Sequence, residues 1–185
     1  MWHDAPMEDV VVRVMRSDEF DEMRAVSVAA FTDESIGVLL DALRTSWAWH
    51  DELCFVAEQG GRLVGQVLYT EALLDAPDVL TRVLVLSPVG ILPEFHGQGL
   101  GTTLINESLE AIVDRPEPAI FLEGNPAYYE RFGFEPGGDH GFRKPSLRIP
   151  DREFQVRPQS TWSPGLSGTL VYQDAFWLTD SVGLR

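Results

Sequence analysis

A single cysteine, Cys54, and a single lysine, Lys144, stand among the 185 residues. One thiol closes no intrachain disulfide, which points to a reducing compartment, the cytoplasm. No stretch approaches the roughly 20 apolar residues needed to cross a bilayer. Met1 to Val10 carries Asp4, Glu8 and Asp9 and no basic start, unlike a signal peptide. Basic side chains number 14 against 29 acidic ones, for a net charge of −15. A chain so acidic repels nucleic acid and anionic membranes, which argues against both as partners. It attracts cations, although solubility accounts for the balance more readily than substrate steering does. His3, His50 and His140 show no metal-ligand spacing, so no metal site is expected.

What is present suits one domain over residues 1–185, with hydrophobic residues at 44%. Valine-rich Val10 to Arg16 predicts a strand, and Ser17 is placed to cap a helix with Asp18 and Glu19 in its first turn. Ile36, Leu39, Leu40, Leu43 and Trp47 recur at helical spacing. Cys54 to Gln59 and Leu63 to Leu73 read as strands joined by a hairpin at Gly60-Gly61. Cys54 itself reads as a small buried apolar residue. Leu80 to Leu92 is a long apolar run broken by Pro88 and Gly90, which predicts a bulge or splay.

A helix follows, with Leu104, Ile105, Leu109, Ile112 and Val113 on its buried face, and then a strand at Ala119 to Glu123. Asn125, Pro126 and Gly133 suit the cap, first position and stop of a short helix. Residues 136–165, rich in proline, glycine and charge, read as an irregular excursion, and 166–178 as closing strands. The order of elements implies a mixed α/β fold, with a largely antiparallel central sheet flanked by helices.

Between the apolar run and the helix lies Ile91-Leu-Pro-Glu-Phe-His-Gly-Gln-Gly-Leu-Gly101. Gly97, Gly99 and Gly101 remove side chains where a ligand approaches the backbone. The free N–H groups of the first helical turn then face an anion such as a pyrophosphate. By spacing alone a tight turn is an equal reading. The Rossmann fingerprint is not matched, and the Walker loop is excluded because Gly-Lys-Ser/Thr is absent.

The loop resembles the cofactor motif of the GNAT N-acetyltransferase superfamily, Gln/Arg-x-x-Gly-x-Gly/Ala. The later Asn125-Pro-Ala-Tyr-Tyr-Glu-Arg-Phe-Gly-Phe134 resembles that family's Asn-x-x-Ala and Tyr-x-x-x-Gly-Phe segment, most of all in the YhbS-like branch. Two motifs in order, separated by a helix and a strand, make the signal specific. The resemblance spans about Val10 to Glu135 and implies a GNAT-like acyl-CoA N-acyltransferase fold.

It implies acetyl-CoA as co-substrate, held by His96, Gly97, Gln98, Gly99, Leu100, Gly101 and Thr102. The pantetheine arm then lies in the splay at Val89, Gly90 and Ile91, with Asn125 nearby. A backbone N–H near Gly90 or Ile91 receives the oxyanion, and Tyr129 is the acid that protonates the departing thiolate. His96 departs from the family's glutamine or arginine, and no lysine or arginine lies between Arg82 and Arg115. Phosphate binding therefore rests on backbone N–H groups, with His96 adding charge when protonated.

The implied reaction is acetyl transfer to a primary amine of a small molecule, protein or peptide by direct attack. The alternative is a non-catalytic acyl-CoA-binding regulatory module, which has no need of Tyr129 as an acid. Glu71 and Glu123 are candidate bases, though each reads more readily as structural. Trp47 and Trp49 are candidates for the acceptor wall. A monomer and a homodimer are both compatible with these features.

Overall fold

The computed structural model describes residues 10–183, so His3 and the acidic stretch through Asp9 lie outside the described residues. Strand β1 (Val11–Val14) leads to helices α1 (Phe20–Phe31) and α2 (Glu34–Arg44), then to strands β2 (Cys54–Gln59), β3 (Arg62–Asp75) and β4 (Leu80–Ile91). Helix α3 (Leu100–Ala111), strand β5 (Ala119–Glu123) and helix α4 (Pro126–Tyr129) follow. Strands β6 (Glu135–Pro136), β7 (Phe142–Arg143), β8 (Phe154–Pro158) and β9 (Gly168–Val171) and helix α5 (Asp174–Leu178) complete the described chain.

The strands form one open sheet in the order β1-β2-β3-β4-β5-β8-β6, with β9 paired to both β3 and β7. Pairing is antiparallel except at β4–β5 and β7–β9. Helices cover both faces. Tyr69 of β3 meets Ser108 of α3 at 2.7 Å, whereas Gly90 of β4, paired with Gln66, abuts Ala30 and Phe31 of α1. Residues 66 and 69 differ in parity and so point to opposite faces. Every residue of β3 from Leu63 to Ala72 is accordingly buried.

At the hairpin, Gly60 and Gly61 both take positive φ, 57° and 78°, as a two-residue turn between twisted strands requires. Helix α2 is capped by Asp33, whose side chain accepts from the Ser35 N–H, and it buries Leu39, Leu40 and Leu43. No helix among the described residues is long and apolar enough to cross a membrane.

Five local expectations are corrected. Ser17 does not cap α1, which begins at Phe20. Glu19 turns inward instead, accepting from the Arg16 N–H at 2.8 Å and from Arg13 at 2.7 and 2.8 Å, which holds its carboxyl near 2. Trp47 lies beyond the end of α2 and is 51% exposed, with Arg82 over its ring. Val113 falls past the end of α3 and is exposed, while Ile112 stays buried.

The stretch 136–165 is not irregular throughout. It contributes β8, which pairs along all of β5 and buries Phe154 and Val156. Phe154 and Phe142 clamp Phe121 of β5 by stacking and edge contacts, at centroid distances of 5.6 and 5.1 Å. Three separated aromatics thus anchor a segment whose average composition is that of a loop. Finally, 175–178 is helical, within α5, and only Gly168–Val171 of the closing segment is strand.

Candidate active site

The predicted irregularity in β4 is present. The β3–β4 register jumps from Val67 opposite Val89 to Tyr69 opposite Leu86. Ser87 and Pro88, joined by a cis bond, therefore share the space opposite Leu68. On its other side β4 pairs with β5 only at Leu84–Ile120 and Val85–Phe121. The two parallel strands part after Val85, four residues earlier than the sequence suggests. Gly90 and Ile91 pair with Gln66 and Gly65 of β3, leaving their β5-facing edge free. Gly90 also has a packing role, because a Cβ there would come within 3.0 Å of Ala30.

Beyond Ile91 the chain makes a tight turn at Pro93–Phe95 and enters the glycine loop. Two side chains brace that loop from within. His96 Nε2–H donates to the Ile91 carbonyl at 2.7 Å, and Gln98 donates to the Glu94 carbonyl at 3.0 Å. Gly97 and Gly99 adopt φ of 76° and 82°, which glycine alone takes at no steric cost, and a Cβ at either would meet nothing within 4 Å. The space a ligand backbone contact needs is therefore open at both.

Helix α3 starts at Leu100 with Gly99 as its cap and neither a capping side chain nor an acidic residue in its first turn. Its first N–H groups, with half-buried Thr102 among them, are left for an outside acceptor, while Leu100 itself is buried. Gly101 differs from the other two. A Cβ there would lie 2.9 Å from the Tyr128 hydroxyl, so this glycine makes room for the side chain of α4.

Helix α4 is set as the sequence predicts. Asn125 accepts from the Ala127 N–H at 3.0 Å, Pro126 opens the helix, and Gly133, at φ 82°, ends the 3₁₀ turn Glu130–Phe132 that continues it. This delivers Tyr129 into an aromatic cluster with Tyr128, Phe132 and Phe134, at ring distances of 5.0, 6.3 and 6.0 Å. Gly124 is small because the Tyr129 ring lies against it. Burial, with a smaller contribution from Tyr128, pushes the Tyr129 hydroxyl up to about 12. It therefore stays protonated at any physiological pH.

Tyr129, Val85, Ser87 and Val89 line a cavity of about 590 Å³. Its opposite wall is built from Phe31 at the end of α1, Asp33 and Ile36 of the α1–α2 junction, and the segment Tyr172–Gly183. Neither Trp47 nor Trp49 lines it: the indole N–H of Trp49 donates to Asp51 and its ring packs on Phe20. The aromatic part of that wall is Phe31, Tyr172 and Phe176, residues that no local spacing marks.

The two candidate bases separate. Glu71 is buried away from the cavity, bound to Arg82 and 3.1 Å from His50. Glu123, at the end of β5, lines the cavity half-buried. Burial raises its pKa, even though Tyr172 and the Gly183 N–H, at 2.9 Å, both hydrogen-bond to it. Cys54 is fully buried, and its thiol is pushed up to about 12. His140 pairs with Glu135 at 2.6 Å. Among the described residues no cluster of three or more histidine, cysteine or acidic side chains is placed to hold a metal.

The family model of the acetyltransferase (GNAT) domain matches residues 11–137. An uncharacterized N-acetyltransferase of Escherichia coli K12, YjhQ, is 30% identical over 131 residues, covering 70% of this chain and 72% of its own. A Brucella melitensis GNAT-family acetyltransferase, solved in complex with acetyl-CoA, is 27% identical with a TM-score of 0.73, covering 91% of this chain and 99% of its own. Escherichia coli YhbS, solved in complex with CoA, shares the fold at a TM-score of 0.82 and 24% identity, over 95% of this chain and 96% of its own.

Proposed function

Because the chain belongs to the GNAT acetyltransferase family, we propose that it carries an acetyl group from acetyl-CoA to a primary amine, by direct attack of the amine on the thioester. The observation that carries this reading is the gap opening between β4 and β5 after Val85, with Tyr129 on its wall. The free edge of Leu86–Ile91 suits an extended pantetheine arm, which takes up the ladder that β5 leaves. Gly97, Gly99 and the first turn of α3 suit the pyrophosphate, with His96 and Gln98 shaping the loop by their own hydrogen bonds. This accommodates an anion in a protein of net charge −15, since the backbone dipoles act at contact distance while net charge is screened over roughly 8 Å.

In the transfer, a backbone N–H of the free β4 edge near Gly90 stabilises the oxyanion. Tyr129 donates to the departing sulfur. A module that only bound acyl-CoA would have no use for a buried donor at that point. Thiol release from acetyl-CoA, followed across a panel of amines, tests the proposal. Amine-dependent release is expected, and acetyl-CoA binding without release for any amine would leave only a binding module.

A further inference from the structure

The cavity facing Tyr129 has a chemical bias. Among the described residues no lysine, arginine or histidine lines it, whereas Asp33, Glu123 and Asp180 do. Its remaining surface is mixed: Phe31, Ile36, Leu39, Val89 and Phe176 supply an apolar and aromatic part, and Ser35, Ser87, Thr179 and Ser181 supply neutral hydroxyls. Arg148, outside the lining, binds the rim residue Asp180 at 2.7 Å and lies over the Trp177 ring. A carboxylate or phosphate on the acceptor would be repelled by Asp33 and Glu123 and, among the described lining residues, would meet only neutral hydroxyl and backbone groups. An ammonium group on an apolar body meets the opposite situation.

Glu123 stands where such an ammonium would have to lose its proton. It ends β5, the strand from which β4 has parted, and it shares the cavity wall with Tyr129. Its surroundings keep it both in place and short of water. Gly183 N–H donates from the C-terminal segment, Tyr172 from the end of β9, and Arg148 and Glu153 act on it from the segment before β8 with opposite sign. Glu71 has neither property, being outside the cavity and bound to Arg82.

We propose that the acceptor is a small amine with an apolar or aromatic body and no carboxylate, and that Glu123 is the catalytic residue that takes its proton. This rests on the acetyl-transfer reading and extends it to the substrate. The bookkeeping of atoms closes. Glu123 removes one proton from the ammonium and passes it to solvent. The freed nitrogen forms the C–N bond at the thioester carbon, and the C–S bond breaks with its electron pair leaving on sulfur. The nitrogen's second proton leaves as the amide forms, and one proton ends on the thiolate by way of Tyr129.

Two measurements test it. In the wild-type protein, 2-phenylethylamine and phenylalanine differ by a single carboxylate. Thiol release should give a kcat/KM at least about tenfold higher for 2-phenylethylamine, the scale on which an unpaired charge is rejected. Equal or better use of phenylalanine, or acetylation of peptides alone, overturns the inference while leaving acetyl transfer intact. Silence with every amine brings down the transfer reading itself.

Glu123→Gln keeps an oxygen for Gly183 and Tyr172 but removes the base. With 2-phenylethylamine it should lose about a hundredfold in kcat near neutral pH. The deficit should shrink as pH approaches the amine's own pKa, with acetyl-CoA affinity unchanged. A deficit constant across pH would mark Glu123 as merely structural. If the variant does not fold, the wild-type acceptor ratio still decides the substrate claim.

Discussion

In the proposed function, the donor and acceptor ends of the cleft are built by different means. The donor end lies in one stretch from Val85 to Gly133 and works largely through backbone: an unpaired strand edge, two left-handed glycines and a bare helix start. The acceptor end is assembled from side chains: Glu123 from that same stretch, joined by two distant segments around Phe31 and Phe176. A backbone site demands particular residues at particular spacings, since only glycine and a helix start will serve. A side-chain wall asks only for shape and polarity, which many residues at many positions satisfy. The donor end is therefore fixed in kind, and the acceptor end is free to change its substrate.

Substitutions aimed at one end at a time sharpen that contrast. The largest effect is expected where the ends meet. Tyr129→Phe keeps the ring in its aromatic cluster and removes the donor, so kcat should fall by about a hundred- to ten-thousand-fold with the KM for acetyl-CoA little changed. Tyr128→Phe should leave kcat nearly intact. An unchanged chemical step for Tyr129→Phe in single turnovers would remove that residue from the mechanism.

At the donor end, Gly99→Val places a branched side chain in the open space and forces it into φ 82°. Calorimetry should show acetyl-CoA affinity weakened by about a hundredfold or more, roughly 2.7 kcal/mol, in a protein that circular dichroism still finds folded. Unchanged affinity in the folded variant would sink the loop assignment.

The pH profile separates the ends differently. An acceptor amine with a pKa near 10 is mostly protonated at neutrality, so turnover should climb steadily from pH 6 to 9. Tyr129, held near 12, adds no falling limb in that range. A flat profile would mean that deprotonation of the acceptor does not limit the rate.

The smallest effect belongs to the rim of the acceptor wall. Arg148 ties down the C-terminal segment through a half-exposed pair with Asp180, an interaction of about 0.2–1 kcal/mol. Arg148→Ala should raise the acceptor KM by up to about fivefold and leave acetyl-CoA affinity alone. A matching loss at the donor end would show that the two halves are not separable.

The same division governs what the sequence reveals. The Gly60-Gly61 hairpin, strand Ala119–Glu123 and the Asn125-Pro126 to Gly133 helix are legible to the residue, because each rests on local chemistry. Ser17 misleads because a tertiary demand, the Arg13–Glu19 pair, overrides a local capping preference. Strand β8 is hidden because its pairing partner lies more than thirty residues away and its own neighbours are prolines and charges. Trp47 fits the helical period but outlasts the helix. Glu123 is visible as a strand-end carboxylate, yet only tertiary structure distinguishes it from Glu71: it lines the cavity and meets Tyr172 and Gly183, while Glu71 lies outside and is bound to Arg82.

The contact between Gly101 and the Tyr128 hydroxyl bears on how such a protein can vary. Position 101 sits in the first turn of α3 at an ordinary backbone angle, where alanine would favour the helix by about 1 kcal/mol over glycine. Any such gain displaces Tyr128, whose ring rests on Tyr129, so a change in the loop is felt at the proposed acid. The two positions form an epistatic pair. An alanine at 101 should be harmful alone and tolerated once Tyr128 has lost its hydroxyl, and loops exchanged between relatives should function only when the tyrosine's neighbourhood travels with them.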